Sequence, residues 1–296
     1  MKKALLLLLV ILFTSIAVNS LTAGDDELRL KPYILGSKTV GNFDEIVAAT
    51  KEKLSSGNFE IAGEYTPYDS AVVIVVTNEE LKTLAAGSKN GGFGAMARVS
   101  VTQVDEEVQV SYLNMDYIFH LYRMNGSMDN ISKQLELVLG MEMDYGSKDG
   151  LKVKKLRNYH YMFAMPYFND LEELGKYDSH EQALQAVEQG FIDKSDDALK
   201  VYRIDIPGKE ETLFGVGIKT GDGGDAHVMN VVDKLEVRAT AHLPYELLVS
   251  GKKVYALKGR FRIAASFPDL SMGTFMKIRS APGSIKDVLK SIAGNE

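Results

Sequence analysis

Leu243–Leu270, LPYELLVSGKKVYALKGRFRIAASFPDL, decides the reading of this chain. Alternating runs on either side of Ser250–Lys253 predict a β-hairpin turning there. An aromatic, arginine-bearing run follows and stops at Pro268. An earlier stretch, Ala97–Arg123 (ARVSVTQVDEEVQVSYLNMDYIFHLYR), has the same layout of strand, charged turn, strand and aromatic run with an arginine. The repetition predicts two related halves. In the later run Phe261, Ile263, Ala265 and Phe267 alternate as in a strand, while the equivalent Asp116–Arg123 suits a helix. Both readings stay open.

Working outward, Leu28–Val40 alternates as a first strand, and Asn42 or Asp44 can cap a helix over Phe43–Ser55 that Gly57 ends. Phe59–Tyr65 and Ala71–Thr77 read as strands, and the unbroken apolar run Val72–Val76 marks a strand covered on both faces. A short helix is expected over Glu79–Ala86. In the first hairpin Val99 and Val101 face Val108 and Val110, and an amphipathic helix over Met128–Leu139 closes the half at Gly140. The second half repeats this order. Tyr159–Met165 stands as its first strand, Ser179–Gln189 and His227–Leu235 as helices, and Leu199–Ile206 and Thr212–Ile218 as strands. Gly283–Ala293 is its closing helix, with Ile285, Leu289 and Ile292 spaced like Ile131, Leu135 and Val138. The expectation is an α+β fold of two similar strand-helix-strand-strand-helix-strand-strand-helix units. Each is a small, mainly antiparallel sheet packed with helices.

The N-terminus stands apart. Lys2 and Lys3 precede the uncharged run Ala4–Val18 and then small residues, the pattern of a secretory signal peptide cut after Ala23 or Ser20. The expected organisation is a signal peptide over 1–23, a first copy over 24–140, a connector over 141–158 and a second copy over 159–296. Net charge is −6 over the full chain, and loss of the two lysines makes the remainder more acidic. That balance argues against nucleic acid, whose binders carry basic patches, and against anionic membrane surfaces. No later segment is long and apolar enough to span a bilayer. With no cysteine, the chain has no disulfide, no thiolate chemistry and no lipid attached through sulfur.

The segments VVIVVTNEEL, LFGVGIKTG and LPYELLVSGKKVYAL resemble the domain of unknown function 302 family. The second copy, with its core over about 200–296, carries the resemblance through Leu243-Pro244 and the hairpin. The first has Met96-Ala97 in place of Leu-Pro. The resemblance implies a compact α+β domain, single or repeated, and no particular activity. Some members carry a cysteine after Leu-Pro, where this chain has Tyr245, so thiol chemistry does not carry over.

Most motifs of chemistry break off short. His180-Glu181-Gln182-Ala183-Leu184 lacks the second histidine of a zinc-protease helix, Gly215-Val216-Gly217 lacks the third glycine of a dinucleotide loop, and Asn90–Gly94 has no Lys-Ser/Thr pair. Asp222, Asp225 and His227 (GDGGDAH) offer carboxylate and imidazole donors for a divalent metal, against a solvated loop in which Asp225 caps a helix. Tyr159–Phe168 (YHYMFAMPYF) is a strand with core aromatics or, with its Tyr, His and Met, a contact for a cofactor such as haem. The cofactor stays unknown. Arg260 and Arg262 would share one face if their run were a strand. With His242 and Tyr245 at the hairpin entry, they would line a mouth that clamps an anion. The alternative is ion pairing with Asp269 or Glu246. The sequence thus points to an exported, periplasmic or extracellular protein that binds an anionic small molecule or a protein partner, with homo-oligomers allowed. A self-associating structural protein, and a hydrolase or transferase without a recognisable motif, are the alternatives.

Overall fold

Apolar and polar residues alternate along β5 (Ala97–Val104), and both sets are buried. Val99 and Val101 lie on one face of this strand. Arg98, Ser100 and Thr102 lie on the other. The computed structural model describes residues 28–294, so the signal-peptide assignment falls outside the described residues. The first half opens with β1 (Arg29–Leu30), β2 (Tyr33–Val40) and α1 (Phe43–Ser56), whose N-cap Asn42 accepts from the amide of Glu45. It continues with β3 (Glu60–Tyr65), β4 (Ala71–Thr77) and α2 (Glu79–Ala86), then β5, β6 (Glu107–Leu113), α3 (Met115–Leu121) and α4 (Asp129–Leu139).

Three short elements, β7 (Met143–Tyr145), β8 (Leu151–Lys152) and α5 (Val153–Arg157), lead into the second half. That half runs through β9 (Glu172–Lys176), α6 (His180–Asp193), β10 (Ala198–Asp205), β11 (Glu211–Ile218) and α7 (Asp225–Val232). It ends with the hairpin β12 (Tyr245–Ser250) and β13 (Lys253–Ala256), then α8 (Gly259–Ser266), α9 (Met272–Phe275) and α10 (Ala281–Ile292).

The fold is α+β, with two antiparallel sheets packed with helices. One has strand order β3-β4-β5-β6-β2-β7 and the other β10-β11-β12-β13-β9, and a two-stranded β1-β8 ladder lies apart. The first five strands of the larger sheet correspond in order to the five of the smaller. Register shifts fall at matching places, in β3 between Ile61 and Gly63 and in β10 between Lys200 and Tyr202. The two bulged edges meet. A methyl at Gly63 would stand 2.1 Å from the carbonyl oxygen of Val201, so only glycine allows this approach. Helices α1 and α4 pack together over the first sheet, and α6 and α10 over the second.

One expectation changes and one open reading closes. Tyr159–Met165 is not a strand: its backbone turns repeatedly and Ala164 has φ 63°, which an extended strand cannot accommodate. The strand expected there is β9, a polar segment (EELGK) whose pairing with β13 supplies the order that its composition hides. The run Phe261–Phe267 is helical up to Ser266, as in the equivalent α3. No helix among the described residues is long and apolar enough to cross a membrane.

Candidate functional site

The polar face of β5 is buried against the second half, and there the chain places three charges. Glu246, on β12, accepts from Arg262 through Nε at 3.1 Å and through a terminal nitrogen at 3.2 Å, a bidentate pair. Arg98 bonds Oε1 of the same carboxylate, the oxygen that a terminal nitrogen of Arg262 also reaches, and donates to the carbonyl of Pro244 at 3.2 Å. All three side chains are at most 3% exposed. Arg98 and Glu246 also hold matching places in their sheets, opposite Val75 in β4 and Gly215 in β11.

His242 and Tyr245 belong to the same cluster. Arg262 donates to the carbonyls of His242 (2.6 Å) and Pro244 (3.2 Å), and to Ser266 Oγ at 3.0 Å. His242 Nδ1 lies 2.8 Å from Ser266 Oγ and 3.2 Å from Arg262, and Nε2 lies 3.2 Å from the Tyr245 hydroxyl. Because a guanidinium can only donate, Nδ1 accepts and Nε2 carries the proton toward Tyr245. Burial, reinforced by Arg262 and Arg98, holds the His242 pKa well below its usual value, so the ring is neutral. Burial alone would favour discharging Arg262, but Glu246 outweighs it and raises its pKa. Two guanidinium groups against one carboxylate leave the cluster with one excess positive charge.

The expected mouth lined by Arg260, Arg262, His242 and Tyr245 is therefore taken apart. At 3.6 residues per turn, positions two apart in a helix lie on nearly opposite faces. Arg262 points inward to the cluster, while Arg260 is exposed on the outer face of α8. His242 and Tyr245 are interior and stand with Arg262 alone. The ion-pair alternative with Glu246 holds for Arg262, in the core rather than at the surface.

Arg260 lines a cleft of about 700 Å³ between α8, α9 and the turns of Tyr161–Met165. Its walls are Tyr161, Met162, Phe163, Met165, Ile263, Leu270, Met272, Phe275 and Met276, and its cations are Arg260 and Arg279. No carboxylate lines it, and no hydrogen bond or ion pair engages either arginine among the described residues. The aromatic stretch thus divides. Tyr159 and Phe168 are core, Phe168 stacking on Tyr122, while the turns between them form the cleft wall. Arg98, Arg279 and the Met272–Met276 wall were not singled out from sequence. Arg98 had a signal, since it neighbours a strand read as covered on both faces.

The metal trio does not assemble, and no group of His, Asp and Glu among the described residues is placed to hold a metal ion. Asp222 and His227 are exposed. Asp225 is buried, where its Oδ2 accepts from the Tyr65 hydroxyl (3.2 Å) and the Ile218 amide (3.0 Å), so it ties α7 to both halves. The helix cap is Gly224 rather than Asp225. Comparison with known family models, curated proteins and solved structures returned no match.

The buried ionisable groups set two expected outcomes. Glu246→Gln leaves two guanidinium groups without their anion and should lower stability in urea unfolding by about 3–5 kcal/mol. Burial pushes the Asp225 pKa up to about 8 and that of Asp233 up to about 7, from an ordinary 3.8. The folded state then holds protons that the unfolded state releases. The contribution of these two groups to stability is fully present below about pH 4 and is lost as pH rises toward 8. Asp225→Asn should shallow that decline, leaving the Asp233 component, which ends near pH 7.

Proposed function

We propose that this protein binds an anionic single-chain amphiphile, an alkyl carboxylate or its like, in the cleft beside α8. The carrying observation is the pair of guanidinium groups, Arg260 and Arg279, without a side-chain partner among the described residues, in a wall made mainly of methionine, aromatic and aliphatic side chains. Ligand sites are commonly concave, mostly apolar and about 300–1,000 Å³, with a few polar groups that fix orientation. Here the apolar wall would take the chain and the arginines the head group. Unbranched methionines can repack around chains of different length. Helix α8 joins this site to the core, since Arg262 anchors the helix that presents Arg260.

The role is that of a binding or accessory protein, and the lysine-led apolar N-terminus supports export. The strand-for-strand correspondence of the two sheets supports an internal duplication of the kind the resemblance to the domain of unknown function 302 family implies.

Calorimetric titration with decanoate should show saturable binding, and decyltrimethylammonium should not bind. Replacing Arg260 and Arg279 together by Gln should weaken decanoate by about tenfold to a hundredfold, the worth of one charge-assisted hydrogen bond. Equal binding of the cationic amphiphile, or full affinity in the double variant, overturns the reading.

A further inference from the structure

The cleft opens onto an unusual stretch of surface. Phe163 is 94% exposed at the tip of its turn, and Met162, Met272 and Met276 stand around it at 44%, 47% and 51%. Large apolar side chains grouped at a surface mark an interaction site. A second groove adjoins the cleft and shares Tyr161 with it. It is lined by Lys152, Lys154, Lys155 and His160, again with no carboxylate. No ion pair engages Lys154 or Lys155 among the described residues. On a chain of net charge −6, the linings of these two adjoining grooves hold Lys and Arg and, among the described residues, no carboxylate, while Asp170 and Glu172 line a third groove on the far side of Arg260 and Arg279.

We propose that this rim docks on an anionic bilayer surface, with Phe163 and the three methionines entering the interface and Lys154 and Lys155 facing the head groups. The inference rests on the amphiphile reading of the cleft and gives that site its source, because a chain leaving the bilayer would enter beneath the inserted side chains. The remaining charge of the protein does not oppose the contact, since fields beyond a screening length of about 8 Å are damped at physiological salt. A folded protein partner would be met by a preshaped face. This one offers separate flexible side chains around an opening, flanked by cations, the composition that binds lipid interfaces.

The test is co-sedimentation of the purified protein with vesicles of phosphatidylglycerol and phosphatidylethanolamine, and with vesicles of phosphatidylcholine alone. Binding is expected to the first, weakened by added salt, and not to the second. Lys154→Gln with Lys155→Gln should reduce it about tenfold or more, as should Phe163→Ser with Met276→Ser. The lysine variant should still bind decanoate as the parent does, which separates the two readings. Decanoate binding without vesicle binding overturns the docking surface alone. Vesicle binding without decanoate binding keeps the surface and removes the cleft ligand. Equal binding to phosphatidylcholine, or retention in both variants, overturns the proposal. So does a parent dimer that Phe163→Ser with Met276→Ser converts to monomer without vesicle binding, since a second copy then covers the patch.

Discussion

The carboxylate of Glu246, held between Arg98 and Arg262, is the interaction on which the rest of the structure depends. Removing three charges from water costs several kcal/mol per ion, and only close geometry with further hydrogen bonds repays it. The cluster meets that condition on the Arg262 side, where Glu246, Ser266 and the carbonyls of His242 and Pro244 surround the guanidinium. Arg98 is less complete, its Nε finding no partner. Such a cluster is a weaker source of stability than an apolar core of equal volume. Its contribution is specificity, because the two sheets can close in this manner only with Arg98 opposite Glu246.

The same closure accounts for the polar side chains on the inner faces of the sheets, which stand there among Val73, Val75, Leu213 and Leu248. Thr102 and Tyr68 both bond the hydroxyl of Thr240, Gln109 bonds the Glu236 carbonyl and the Arg238 amide, and Tyr65 bonds Asp225. Each pair joins one half to the other. The outer apolar faces lie under α1, α4, α6 and α10, and the buried residues of both halves form one continuous cluster, with Phe168 packing on Phe93 and Tyr122 across the hydrogen-bonded seam. Helix α8 belongs to the seam through Arg262 and to the surface through Arg260. Charge geometry in the interior thereby sets where the outer guanidinium stands.

Much of the fold was legible in the sequence. Strand alternation in Ala97–Val104, the doubly covered run Val72–Val76 and the Asn42 cap are local signals, and the chain follows them. Strand β9 was hidden because EELGK carries no apolar pattern and exists through pairing with β13. The Tyr159–Met165 stretch misled for the opposite reason: its aromatic density suits a strand, yet its side chains serve partly as core and partly as cleft wall. At the candidate site, Arg262, His242 and Tyr245 were found as a group. Their direction was not, because two arginines at a spacing of two share a face in a strand and oppose each other in a helix. The alternation of Phe261, Ile263, Ala265 and Phe267 favoured a strand locally, and only the equivalent Asp116–Arg123 pointed to the helix.

Native-state hydrogen exchange tests the central claim, that the buried cluster makes the two halves one cooperative unit. The amides of β5 and β12, which carry Arg98 and Glu246, should exchange only through global unfolding and with one shared free energy. Exchange of one hairpin at a free energy several kcal/mol below the other would show that the halves open separately, and would contradict the account.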